Sequence, residues 1–131
     1  MNDEFLDTNI ILYLLDTGRK TDITTDLLKR RPVISVQVLN EAYVNCRRKA
    51  HMSSQEAGTF LAGVRYFCTV HPLTVETHDI GRALEERYKF SVYDAMIVAA
   101  AMQAGCTTLF SEDMQHGLNV HDQLTILNPF Q

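Results

Sequence analysis

The chain has 131 residues, 46% hydrophobic and 21% charged, with 12 basic and 16 acidic side chains for a formal charge of −4. That size suits one domain, residues 1–131, with a real core, and the negative charge argues against a protein that coats nucleic acid through clustered Lys and Arg. A nuclease is not excluded, because its reactive centre is itself acidic.

The opening MNDEFLD carries no signal-peptide pattern, and the apolar run from Ile10 to Leu15 is far too short to span a membrane. A soluble, cytoplasmic protein is expected. Cys46, Cys68 and Cys106 show no CxxC spacing and read as reduced thiols.

In chain order, Glu4–Asp7 reads as a short buried strand, and Thr8-Asn9 starts a helix through Ile10, Ile11, Leu12, Leu14 and Leu15 that Gly18 closes. A second, amphipathic helix is expected from Asp22 to Arg31, then a β-branched strand from Pro32 to Val36. From Ser35 onward Val38, Leu39, Ala42, Tyr43 and Cys46 share one helical face with Glu41 on its flank. Ser53 or Ser54 caps the next helix, whose residues Ala57, Phe60, Leu61, Val64, Phe67 and Cys68 keep helical spacing. This helical hairpin is the expected homodimer surface.

Thr69–Leu73 suggests a third strand, and Ile80, Ala83, Leu84 and Tyr88 mark a helix. In the segment SVYDAMIVAAAMQAGCTTLFS, Asp94 is the only charge in an apolar helix, a Gly105 stop and a buried strand. A lone carboxylate there is costly unless something compensates it, although an N-cap to the helix from Ala95 would also account for it. The fourth strand, Thr107–Phe110, runs into Ser111-Glu112-Asp113, and Leu124–Leu127 forms a fifth. The alternation defines an α/β fold: a three-layer α/β/α sandwich on a mainly parallel, five-stranded sheet.

In such a sheet, functional groups collect beyond the carboxyl ends of the strands. Asp7 and Asp113 follow strands one and four, while Glu41 and Asp94 lie early in helices at the same edge, so the four acids are expected on one rim. A pair of carboxylates about 5 Å apart repels by about 3 kcal/mol at an effective dielectric near 20. A divalent cation removes that cost. Taken singly, each acid could be a turn, cap or surface residue; the others, such as Asp22, Glu56, Glu76 and Asp122, read as caps or solvated faces.

The histidines lack HxH or HExxH spacing for zinc, and no GxGxxG or Walker loop points to a nucleotide cofactor. Carboxylate ligation suits Mg²⁺ or Mn²⁺. Asp7-Thr8-Asn9 lacks the second Asp of a DxD phosphatase motif. A non-enzymatic RNA- or partner-binding module on the same fold is the alternative. The basic clusters Lys29-Arg30-Arg31 and Arg47-Arg48-Lys49 end predicted helices, where cations are favourable anyway or could contact RNA.

FLDTNIILYLL, the helix carrying Asn40-Glu41, and SVYDAMIVAAAMQAGCTTLFSEDMQHG together resemble a PIN-domain ribonuclease of the VapC type, the toxin of a toxin–antitoxin pair. The resemblance implies an acidic quartet of Asp7, Glu41, Asp94 and Asp113 using Mg²⁺ or Mn²⁺, with Asn9 and Ser111 orienting the acids. Within it, Asp7, Asp94 and Asp113 are expected to hold the metal and Glu41 to orient water or a second ion. RNA is the implied substrate, a cognate antitoxin the implied partner, and a homodimer the expected assembly. Glu112 and His116, beside Asp113, have open roles.

Overall fold

The computed structural model describes residues 3–131. Strands and helices alternate as β1 (Glu4–Leu6), α1 (Thr8–Leu12), a 3₁₀ turn (Tyr13–Leu15), α2 (Arg19–Lys29), β2 (Val33–Ser35), α3 (Val36–Arg48) and α4 (Ser54–Phe67). They continue as β3 (Thr69–His71), α5 (Val75–Tyr88), α6 (Val92–Gln103), β4 (Thr108–Phe110), β5 (Asn119–Val120) and β6 (Leu124–Leu127). The sheet order is β3-β2-β1-β4-β6-β5, parallel throughout except for the β5–β6 pair.

The sheet has six strands where five are expected from sequence. The addition is β5, two residues that pair with β6 through Val120 and Leu124. His121 and Asp122, at φ 53° and 55°, turn the chain between them. Consecutive buried residues in the central strands, Phe5-Leu6, Val33-Ile34-Ser35 and Leu109-Phe110, mean that helices cover both faces.

Several helix boundaries differ from the sequence reading: the second helix, expected from Asp22 to Arg31, runs Arg19–Lys29, and the sixth begins at Val92 rather than Ala95. The apolar run after Thr8 leaves α-geometry at Leu12 and tightens into the 3₁₀ turn, whose Tyr13 carbonyl accepts the Thr21 hydroxyl at 2.7 Å. Gly18, at φ 124°, then opens α2 rather than closing α1. Only glycine takes that conformation without strain.

α6 is apolar on every side, and its residues from Ala95 to Ala101 are all buried. It ends on Gly105 at φ 77°, where the Gly105 and Cys106 amides return to the Met102 and Ala101 carbonyls at 3.0 Å each, a Schellman stop. α5 approaches closely through Gly81: a Cβ there would lie 2.5 Å from the Met96 sulfur. This tight seat fixes α6 and therefore Asp94. Trimming one methylene from the fully buried Ile97, as Ile97→Val, should cost about 1 kcal/mol. A urea unfolding midpoint that drops at unchanged slope is the expected reading.

Candidate active site

The chain builds β2 and β3 on one side of β1, then returns to place β4 on the other, so the strand order switches between β1 and β4. A crevice opens there at the carboxyl ends. Asp7 sits directly beyond β1, its N–H bonded to the Phe110 carbonyl at 2.9 Å. Its side chain caps α1, with Oδ1 accepting the Thr8 N–H at 2.7 Å. Oδ2 accepts the Ser111 hydroxyl at 2.7 Å and the Asn9 amide at 3.1 Å.

Asn9 joins the two loops. Its Nδ2 also donates to Asp113 Oδ2 at 3.0 Å, while its Oδ1 accepts the Glu112 N–H at 3.1 Å. Ser111 closes the stitch by accepting the Met114 N–H at 3.2 Å. Glu41 reaches the crevice from the second turn of α3, held by the Thr8 hydroxyl at 2.9 Å on one oxygen and by the Gln37 amide at 2.7 Å on the other. Asp94 enters from the first turn of α6. It is not the N-cap, since Ser91 fills that position and accepts the Asp94 N–H at 3.2 Å.

All four acids line one cleft of about 240 Å³, together with Thr8, Asn9, Leu12, Asn45 and Lys49. Asp7 is 3% exposed. Burial pushes its carboxyl up to about 7, opposed by the Ser111 and Thr8 hydrogen bonds and reinforced by the charges of Asp94 and Glu41. Burial likewise raises the half-buried Asp94, with Ser91 opposing and the charges of Glu41 and Asp113 adding. The cleft thus gathers four carboxylates, with Asp7 buried, Glu41 and Asp94 partly buried and Asp113 at its exposed rim.

Among the described residues, no three His, Cys, Asp or Glu side chains stand as a ready-made metal-binding group. The Asn9 amide instead bridges Asp7 and Asp113, and Thr8 and Gln37 engage Glu41. The donor chemistry still fits a hard divalent cation, because carboxylate oxygens from four segments share one cleft in which burial, and then their like charges, raise Asp7 and Asp94.

Three contributors had no site role from sequence: Thr8 and Gln37, which hold Glu41, and Asn45, which lines the cleft. Lys49, from the second basic cluster, lines it too. Gln37, Glu41, Asn45 and Lys49 recur every fourth residue. That polar stripe along one face of α3 was the available signal.

Glu112 points away from the quartet, accepting the Tyr13 hydroxyl at 2.6 Å and pairing with Lys20, which hold its carboxyl below the usual range. Lys20 also lies over the Tyr13 and Phe130 rings, at 5.1 and 5.3 Å from their centroids. Glu112 therefore ties the acid-bearing loop to α2. His116 Nδ1 accepts the Asn128 N–H at 2.8 Å, bracing the same loop against the chain after β6.

The fold and cleft define an α/β protein with an acidic centre at the switch point of a mainly parallel sheet. The PIN domain family model matches residues 5–117. The chain belongs to the PIN domain family. No curated protein matches it in sequence.

Solved structures share its fold. A toxin–antitoxin complex from Klebsiella pneumoniae superposes with a TM-score of 0.71 at 22% identity, covering 96% of this chain and 97% of that one. DNA-bound VapBC from Salmonella typhimurium gives 0.71 at 18% identity, over 96% and 97%. VapC20 of Mycobacterium tuberculosis, described as a sarcin–ricin loop cleaving toxin, gives 0.68 at 18% identity, over 84% and 89%.

Proposed function

We propose that this protein is a Mg²⁺- or Mn²⁺-dependent endoribonuclease acting as the toxin of a toxin–antitoxin pair. The observation that carries the reading is the convergence of Asp7, Glu41, Asp94 and Asp113 on one partly dry cleft. Further support comes from the fold shared with toxin–antitoxin complexes and with a toxin described as cleaving the sarcin–ricin loop.

In this reading Asp7, Asp94 and Asp113 would hold the cation. When bound, it supplies charge neutralisation at the scissile phosphate and acidifies a water. Ser111 and Asn9 keep the Asp7 carboxylate aimed, and Asn9 sets the spacing to Asp113. Glu41, fixed by Thr8 and Gln37, orients the attacking water. Water forms the new P–O bond in line as the P–O3′ bond breaks; the attacking water gives up one proton to solvent and the leaving 3′-oxygen takes one up, so the step consumes one water and no net proton.

A cognate antitoxin and a second copy of the chain are the proposed partners. The α3–α4 hairpin, with a groove of about 310 Å³ lined by Leu39, Tyr43, Leu61 and Arg65, supports the homodimer. No helix among the described residues is long and apolar enough to cross a membrane. Action in the cytoplasm is part of the proposal.

End analysis of the RNA products tests the chemistry. Attack by water leaves 5′-phosphate and 3′-hydroxyl ends, whereas attack by the RNA's own 2′-hydroxyl leaves a 2′,3′-cyclic phosphate. Cyclic ends would refute the mechanism, and a catalytically silent binding module would give no products at all.

A further inference from the structure

A second groove, of about 580 Å³, adjoins the acidic cleft and shares Glu41 and Asn45 with it. Its other walls are Gln37, Asn40, Val44, Arg48 and Tyr93. We propose that this groove seats an unpaired base of single-stranded RNA next to the scissile phosphate, with the Tyr93 ring as stacking platform and Arg48 on the flanking phosphate. The inference rests on the ribonuclease reading of the acidic cleft and adds its substrate class and binding residues.

Three observations carry it. Tyr93 is 65% exposed, and its backbone immediately precedes Asp94 on the first turn of α6, so anything lying on the ring lies beside the quartet. An exposed ring is a poor contribution to a fold and a good surface for a base, since every base has a π-face. Val44, 44% exposed, adds an apolar side chain to the same groove.

The second observation is how the cations divide. In the first basic cluster, Lys29 pairs with Asp26 at 3.9 Å, Arg30 pairs with Glu4 at 3.2 Å, and Arg31 donates to the Tyr66 carbonyl at 2.9 Å. Those three are engaged within the fold. In the second cluster Arg47 donates to the Tyr43 hydroxyl at 3.0 Å. Among the described residues, the side chains of Arg48 and Lys49 make no hydrogen bond or ion pair. Arg48 lines the groove and Lys49 lines the acidic cleft.

Third, the two cavities form one path on which cationic and aromatic groups flank the carboxylates. This is the combination that tracks a single strand: positive charge for the backbone and a ring for each unstacked base. A base held within a duplex cannot reach such a ring.

The test uses an RNA oligonucleotide that the purified wild-type protein cleaves with Mg²⁺, compared among wild type, Tyr93→Ala, Tyr93→Phe and Arg48→Ala. Tyr93→Ala should raise KM about tenfold with kcat within about twofold, and Tyr93→Phe should restore it. Arg48→Ala should raise KM less and lower the salt dependence of binding by about one unit of slope. Removing the base beside the cut, as an abasic substrate, should weaken binding to the wild type but not further to Tyr93→Ala. The matching duplex should be a poor substrate.

An unchanged KM for Tyr93→Ala on an RNA that the wild type cleaves would overturn this assignment while leaving the ribonuclease reading standing. So would a Tyr93→Ala variant that keeps KM and loses self-association in light scattering, since the groove would then be an interface between copies. No cleavage by the wild type would remove the ribonuclease reading and this assignment together.

Discussion

Asp94→Asn should abolish RNA cleavage, by about a thousandfold or more, and leave the melting temperature within a few degrees of the wild type. The side chain keeps its shape, and the cap on α6 survives because the Ser91 hydroxyl still accepts the residue 94 N–H. What disappears is one negative charge among four, at a half-buried position where charge is weakly screened. Losing one preorganised polar partner of a reacting group commonly costs a hundredfold to a thousandfold, and the proposal asks Asp94 to hold the cation itself. Glu86→Gln, on exposed α5 surface, is the control and should cleave normally. An Asp94→Asn protein that cuts at half the wild-type rate would remove Asp94 from the site.

The second large effect is on stability against pH in EDTA. Asp7 has its carboxyl at about 7 in the fold against 3.8 as a free group. Between those values the folded protein binds more protons at this position than the unfolded chain does, so stability falls as pH rises. Asp7 contributes fully below about pH 4, and that contribution is lost as pH climbs through about 7; Asp94, raised in the same direction, adds to the fall. At 1.36 kcal/mol per pH unit the Asp7 part reaches up to about 4 kcal/mol. Urea unfolding from pH 4 to pH 8 should show this decline in the wild type and a much flatter profile in Asp7→Asn. Parallel profiles would mean that Asp7 titrates as an ordinary exposed acid.

Both predictions concern residues legible from sequence, for physical reasons. Asp7 ends a run that can only be a buried strand, and Asp94 is the one charge in a segment otherwise fit for the interior. Alternating strands and helices then put both at one sheet edge. The sixth strand was illegible because two residues, Asn119–Val120, are too few to show a period. Helix α1 looked longer than it is because the apolar run through Leu15 does not change where the backbone tightens; the Thr21 hydroxyl that stabilises the turn comes from the next helix. Asp94 is displaced from the cap by Ser91, three residues earlier, a choice between two competent capping residues that spacing alone leaves open.

The web around the acids was harder to read. The Asn9 bond to Asp113 links residues 104 positions apart, and Thr8 holding Glu41 spans 33. Such pairs follow from strand order, which local pattern does not specify. The Gln37-Glu41-Asn45-Lys49 stripe was visible but has the look of an ordinary solvated helix face until the cleft is seen beside it.

The claim that the acidic cleft is a metal-dependent RNA-hydrolysing centre is tested most directly by one measurement: cleavage of a single-stranded RNA by the purified protein in Mg²⁺, then in EDTA, then after Mg²⁺ is restored. Cleavage that stops in EDTA and returns with Mg²⁺ is the predicted result. Cleavage that continues undiminished in EDTA would contradict it.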